Sequence, residues 1–218
     1  MFWRLLPHLT ACVAADRVVL LDIRQDRYFL VPPTITLAVC DWLRSDHAMA
    51  PPSAFFALLR DSAILRAEDG CTPAPTAHHV GIPVTLETPT LPARATLAGR
   101  LGVALAMTST RLTLRRRPLA VVLKAYRDRP VTARSDRPDA IALARRFGSA
   151  RRQLPFARQC LPDSLALAGW LKHRGVRPTL VFGVAAPAFA AHCWVQQDTA
   201  ILNDSFDRVS RFTPILTL

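Results

Sequence analysis

The feature that most limits what this chain can fold into is a change of periodicity at Gly175. Ahead of it, Pro162 and Asp163 open a run rich in Leu and Ala, from Leu165 to Lys172, that Gly175 closes. Proline and aspartate suit a first helical turn, and glycine suits the residue that ends a helix. Beyond Gly175 the pattern turns β-like, with strands expected at Pro178–Ala185, Ala191–Gln197 and Ala200–Ser205. A helix followed by neighbouring short strands calls for an α+β arrangement. Cys160 sits at or just before the start of that helix, where unpaired N–H groups and the helix dipole favour a thiolate. A nucleophilic cysteine needs this help, because a free thiol has a pKa of about 8.5.

The strands supply partners for that thiol. If Gln197 to Thr199 form a three-residue loop, His192 lies directly opposite Asp204. Directly opposed residues have Cβ atoms about 5 Å apart, close enough for imidazole and carboxylate to bond. A slip of one residue would send Asp204 to the other face. Cys160, His192 and Asp204 thus form a candidate set: thiolate nucleophile, proton carrier and orienting carboxylate. Cys193 competes as nucleophile, but as the strand neighbour of His192 it points to the opposite face and reads as a buried small apolar residue.

Upstream, Pro7 and His8 interrupt the apolar N-terminus, which reads as a first strand or two rather than a secretion signal. Val18–Ile23 and Arg27–Val31 read as strands joined by a turn at Arg24–Asp26. Ile35, Val39 and Trp42 recur at helical spacing in a helix expected over Thr34–Leu43, and a second is expected over Ser53–Arg66. Five prolines between Cys71 and Pro92 resist regular structure and mark a linker. His78 and His79 fall there without neighbouring carboxylates and read as solvated, so no metal site is expected. Helices resume over Arg94–Met107, Pro118–Arg127 and Pro138–Phe147.

Composition narrows the setting. The five cysteines are odd in number and include no C-x-x-C pair, which fits neither a disulfide framework nor a zinc site and suggests a reducing cytoplasm. No apolar run approaches the ~20 residues of a membrane-spanning helix. The net charge of +12 is regional: residues 94–158 hold 16 Arg and Lys against three Asp. Such a region can meet an acidic partner, a membrane surface or nucleic acid, or simply form a solvated face. Tyr126 and Phe147 alone make a poor base-stacking platform. A DNA-binding reading is further weakened by the segment up to Gly70, with seven arginines against eight acidic residues.

Two resemblances follow. VVLLDIRQDRYFLVPP with ITLAVCDWL resembles the RiPP recognition element of the PqqD family, a small winged-helix-like domain that binds a leader peptide as an added strand. That resemblance places Tyr28, Phe29 and Leu30 on the receiving strand. The helix-then-strands order around Cys160 resembles the papain and transglutaminase superfamily. Within it, C-L-x-x-S-L-A-L, the F-G-V strand, A-H-x-W-V and the N-D turn resemble the B protein of lasso-peptide biosynthesis. Cys193 departs from that family, which usually has a small residue such as alanine there.

Together the resemblances imply a recognition domain over residues 1–72, a linker over 73–93 and a transglutaminase-like cysteine protease over 94–218. They imply a cytoplasmic leader peptidase whose partners are a precursor peptide and a lasso cyclase, the C protein, with no nucleic acid. No cofactor is implied for this chain. The family is associated with ATP, but no G-x-x-x-x-G-K-[ST] loop occurs here, so the nucleotide is assigned to the cyclase. The Cys160 N–H, Gln153 and Gln159 are candidate oxyanion donors. Acyl transfer to an amine by the same triad stays open as an alternative.

Overall fold

The computed structural model describes residues 2–44, 53–54, 65–68, 96–133 and 139–218. The N-terminal part contains β1 (Phe2–Leu5), β2 (Leu9–Ala14), β3 (Arg17–Asp22), β4 (Arg27–Leu30), α1 (Pro33–Arg44) and β5 (Leu65–Glu68). Strands β2, β3 and β4 form an antiparallel meander. A two-residue turn joins β2 to β3, with Ala15 and Asp16 both at positive φ, the geometry that matches the twist of a tight hairpin. At the next turn, the Asp22 carboxylate accepts hydrogen bonds from the N–H groups of Arg24 and Gln25, at 2.8 and 3.1 Å. Such an Asx turn lets Asp22 be buried with its carboxylate hydrogen-bonded.

Strand β3 is buried on both faces, which explains its unbroken Val-Val-Leu-Leu run. Val18 and Leu20 pack with Val39, Cys40 and Trp42 of α1. Val19 and Leu21 face the other way, into the large core of the C-terminal half.

The expected helix over Ser53–Arg66 needs correction at its far end. Ser53 and Ala54 are helical, but Leu65–Glu68 is a strand paired antiparallel with β1. Pairing with a distant strand overrides local preference here. The rest of that helix, the stretch 73–93, Cys71, His78 and His79 lie outside the described residues.

The C-terminal half contains α2 (Leu97–Arg116), α3 (Leu119–Asp128), α4 (Ala140–Arg152), α5 (Cys160–Lys172), β6 (Thr179–Ala185), β7 (Ala190–Gln197), β8 (Ala200–Ile201), α6 (Phe206–Val209) and β9 (Thr213–Thr217). Helix α2 runs nine residues past the expected end at Met107. Thr96 caps α2 by accepting from the N–H of Gly99, and Asp139 caps α4 by accepting from those of Ile141 and Ala142. Gly175, at φ 86°, closes the turn after α5 as its position predicts.

Helix α5 is buried without interruption from Ser164 to Lys172 and packs between α2 and the antiparallel sheet β8-β7-β6-β9. The buried Lys172 ammonium donates to the Tyr126 carbonyl at 2.7 Å and lies 4.0 Å from the Tyr126 ring centroid. Strand β2 lies against β9, so the N-terminal meander is seated on this core rather than held apart from it. No helix among the described residues is long and apolar enough to cross a membrane.

Gly183 of β6 carries a packing constraint. A Cβ there would lie 2.7 Å from Cζ3 of Trp194 and 2.9 Å from Cβ of Phe212. Gly183→Ala is expected to destabilise the fold by about 1–3 kcal/mol through overpacking. Gly102→Ala, inside α2 with open space around it, should stabilise by about 0.5–1 kcal/mol. Denaturant unfolding of the two variants checks the opposite signs.

Candidate active site

Helix α5 begins at Cys160 itself, with Gln159 as its N-cap residue. The entry to the helix is held from behind by Arg151. Its guanidinium donates to both Asp163 oxygens at 3.0–3.2 Å and to the carbonyls of Phe156 and Ala157. Arg111 also donates to the Ala157 carbonyl and lies over the Phe156 ring. The segment leading to Cys160 is thereby anchored, while the cysteine is exposed.

Across the site, His192 on β7 pairs with Gly183 of β6. Its ring lies near Trp194 and Phe212, with centroids 6.1 and 5.1 Å away, and only 5 % of the residue is exposed. Two aromatic neighbours restrict the imidazole to few orientations. Nε2 meets Oδ2 of Asp204 at 2.5 Å. Because Nε2 is engaged, Nδ1 is the nitrogen left for the hydrogen bond between His192 and Cys160.

The structure brings Cys160, His192 and Asp204 together by a different route from the one expected. The turn after β7 has two residues, not three: Gln197 pairs with Ala200, and Asp198 adopts a left-handed φ of 52°. Strand β8 then stops at Ile201 instead of reaching Ser205. On a continued ladder, His192 would face Ser205 and not Asp204. The chain instead leaves the sheet after Leu202, whose N–H still donates to the Val195 carbonyl at 2.8 Å. Asp204 therefore reaches His192 from a turn, and the Ser205 N–H donates to its Oδ1 at 2.9 Å.

Protonation follows from these contacts. The hydrogen bond to His192 draws the Cys160 thiol below its ordinary value, assisted by the backbone N–H groups of Cys193 and Leu161. The bonds to Asp204 and Cys160 raise His192 to about 9. Burial works against ionisation of Asp204, but its bonds to His192 and Ser205 keep its pKa below the usual carboxylate value. This set favours a thiolate–imidazolium pair, the form in which cysteine attacks acyl carbons. Cys193 is 3 % exposed in the core, and burial pushes its thiol well up, away from thiolate chemistry.

Tyr28, Phe29 and Leu30 all lie on β4, at the edge of its sheet. Phe29 and Leu30 are exposed, whereas the Tyr28 ring turns toward the C-terminal core and packs on Phe189 with centroids 5.4 Å apart. Phe189 lies three residues before His192, which brings the edge strand beside the active-site hairpin. Oε1 of Gln153 accepts from Arg100 at 3.2 Å, which leaves its amide nitrogen as the donor. No group of three or more His, Cys, Asp or Glu that could hold a metal ion occurs among the described residues.

Sequence reasoning gave no role to Trp194, Phe212, Arg151, Ser164 or Asn203. Their contacts depend on tertiary packing, although Ser164, Trp194 and Asn203 stand in the motifs that carry the resemblance. The family model of the transglutaminase-like superfamily matches residues 104–217, and the chain belongs to that superfamily of cysteine-protease and acyl-transfer types. The match covers α5, the sheet and all three of Cys160, His192 and Asp204. No curated protein and no solved structure matches.

Because the folded state raises His192 from 6.5 to about 9, its pairing contributes stability that is fully present below pH ~6.5. That contribution should fade as pH rises from there through 9. Denaturant midpoints should fall over this window, and the fall should be reduced in His192→Gln. Brief iodoacetamide treatment of the folded chain should label Cys160 ahead of Cys40 and Cys193, as peptide mapping would reveal.

Proposed function

We propose that this transglutaminase-like protein is a leader peptidase of lasso-peptide maturation, which binds a precursor's leader and hydrolyses the leader–core bond. The observation that carries the reading is the set of an exposed cysteine at a helix N-terminus, an enclosed imidazole and a carboxylate on that imidazole's far nitrogen. The resemblance to lasso B proteins supplies the substrate class.

In this reading the Cys160 thiolate attacks the carbonyl carbon of the scissile bond, and the carbonyl oxygen becomes an oxyanion. The C–N bond then breaks as His192 Nδ1 gives its proton to the departing amine, leaving a thioester on Cys160. Water, deprotonated by the now neutral Nδ1, attacks the thioester and releases the leader with a free carboxylate. Asp204 holds the imidazole orientation and stabilises its charged form throughout. The released amine is the group that a partner cyclase would join into a ring.

The N-terminal part, residues 1–72, is proposed as a winged-helix-like recognition element joined through residues 73–93 to the protease domain at 94–218. Support comes from β4. The Val31 N–H donates to the Val18 carbonyl, so in the alternating antiparallel pattern Tyr28 and Leu30 turn their backbone groups toward the open edge. An added peptide strand can pair there, with apolar contact to the exposed Leu30.

Cys160→Ala should abolish cleavage of the precursor encoded beside the gene while leaving leader affinity intact; mass spectrometry and fluorescence anisotropy read the two. Persistent cleavage would refute the mechanism, and a product carrying the leader on an amine would indicate acyl transfer. Leu30→Pro removes one outward N–H without touching the ladder. It should weaken leader binding by roughly three- to tenfold, and unchanged affinity would contradict strand addition.

A further inference from the structure

Strand β8 ends too early to pair the outer edge of β7 beside the active site, and two side chains take its place. The Val195 N–H, which β8 leaves without a ladder partner, donates to Oδ1 of Asn203 at 2.8 Å. That contact fixes the amide orientation, because a backbone N–H can only donate and must face the oxygen. Nδ2 of Asn203 consequently faces Oγ of Ser164, to which it donates at 2.8 Å. The serine hydroxyl, accepting from Asn203, donates its own proton to the Cys193 carbonyl at 2.9 Å. The bonds thus run in one direction, from the Val195 N–H to Asn203, from Asn203 to Ser164 and from Ser164 to the Cys193 carbonyl.

The three joined segments are the ones that carry the reactive groups. Ser164 lies one turn after Cys160 on α5, Cys193 follows His192 on β7, and Asn203 precedes Asp204 in the turn. Ser164 is fully buried. Within an antiparallel strand the N–H and C=O of one residue point to the same side. The Cys193 N–H therefore points to the same open edge as its carbonyl, where it lies within hydrogen-bond reach of the Cys160 sulfur.

We propose that Ser164 and Asn203 are positioning residues, a relay bonded to the β7 edge that sets the spacing of Cys160, His192 and Asp204. The relay acts on the thiolate–imidazolium pair and so rests on the hydrolytic reading above. It touches no substrate.

The test uses the full chain and two readouts. The pH dependence of iodoacetamide alkylation at Cys160 needs no substrate, and steady-state cleavage of the precursor does. In Asn203→Ala and Ser164→Ala, the alkylation midpoint should move up toward that of an ordinary thiol, with circular dichroism unchanged. In the same variants kcat should fall about 10²-fold, as expected for a small displacement of reacting groups, with KM within twofold. The double variant should lose little more than either single one, because one relay is broken once. Wild-type midpoints in both variants, or losses that multiply in the double variant, would overturn the relay. If the wild-type chain cleaves no precursor while the midpoints shift as expected, the relay stands and the leader-peptidase reading fails. Because the Asn203 residue is largely exposed, its Ala variant remains informative even if Ser164→Ala does not fold.

Discussion

The arrangement depends on one constraint, the burial of α5 on all sides between α2 and the sheet. A helix enclosed this way cannot roll or slide without opening cavities, and cavities in a packed interior are costly. Its N-terminus is therefore a fixed point, and Cys160 is the residue at that point. The Arg151–Asp163 fork secures the entry to the helix, and Lys172 ties its far end to the end of α3. The imidazole is held with similar firmness by Trp194 and Phe212. A thiol and a ring placed by two rigid elements need little reorganisation to form an ion pair.

Strand β3 extends this logic to the N-terminal part. With Val18 and Leu20 on α1 and Val19 and Leu21 on the main core, it is covered on both faces and couples the meander to the rest. The edge strand β4 is thereby held beside the hairpin that carries His192, with Tyr28 against Phe189.

Much of the site was legible in the chain, for identifiable reasons. Pro162, Asp163 and Gly175 are local signals, so the helix and the place of Cys160 at its start could be read directly. Alternation along β7 likewise separated His192 from Cys193. The register of the last hairpin was not readable, because it depends on whether Asp198 adopts a left-handed backbone, which aspartate tolerates but does not require. The early end of β8 depends on Asn203 and Ser164 meeting across distant segments. The strand at 65–68 and β9 were missed for the same reason: pairing partners far away in sequence decide them. The triad could be named on a wrong register because Asp204 reaches His192 from outside the ladder that a three-residue loop would have set.

The hydrogen bond from His192 is what draws Cys160 toward its thiolate. Ultraviolet difference titration of the thiolate, wild type against Cys160→Ser, measures it without substrate or partner. The wild-type midpoint should lie below that of an ordinary thiol, with His192→Ala shifting it up toward about 8.5. A wild-type midpoint already near that ordinary value, unmoved by His192→Ala, would contradict it.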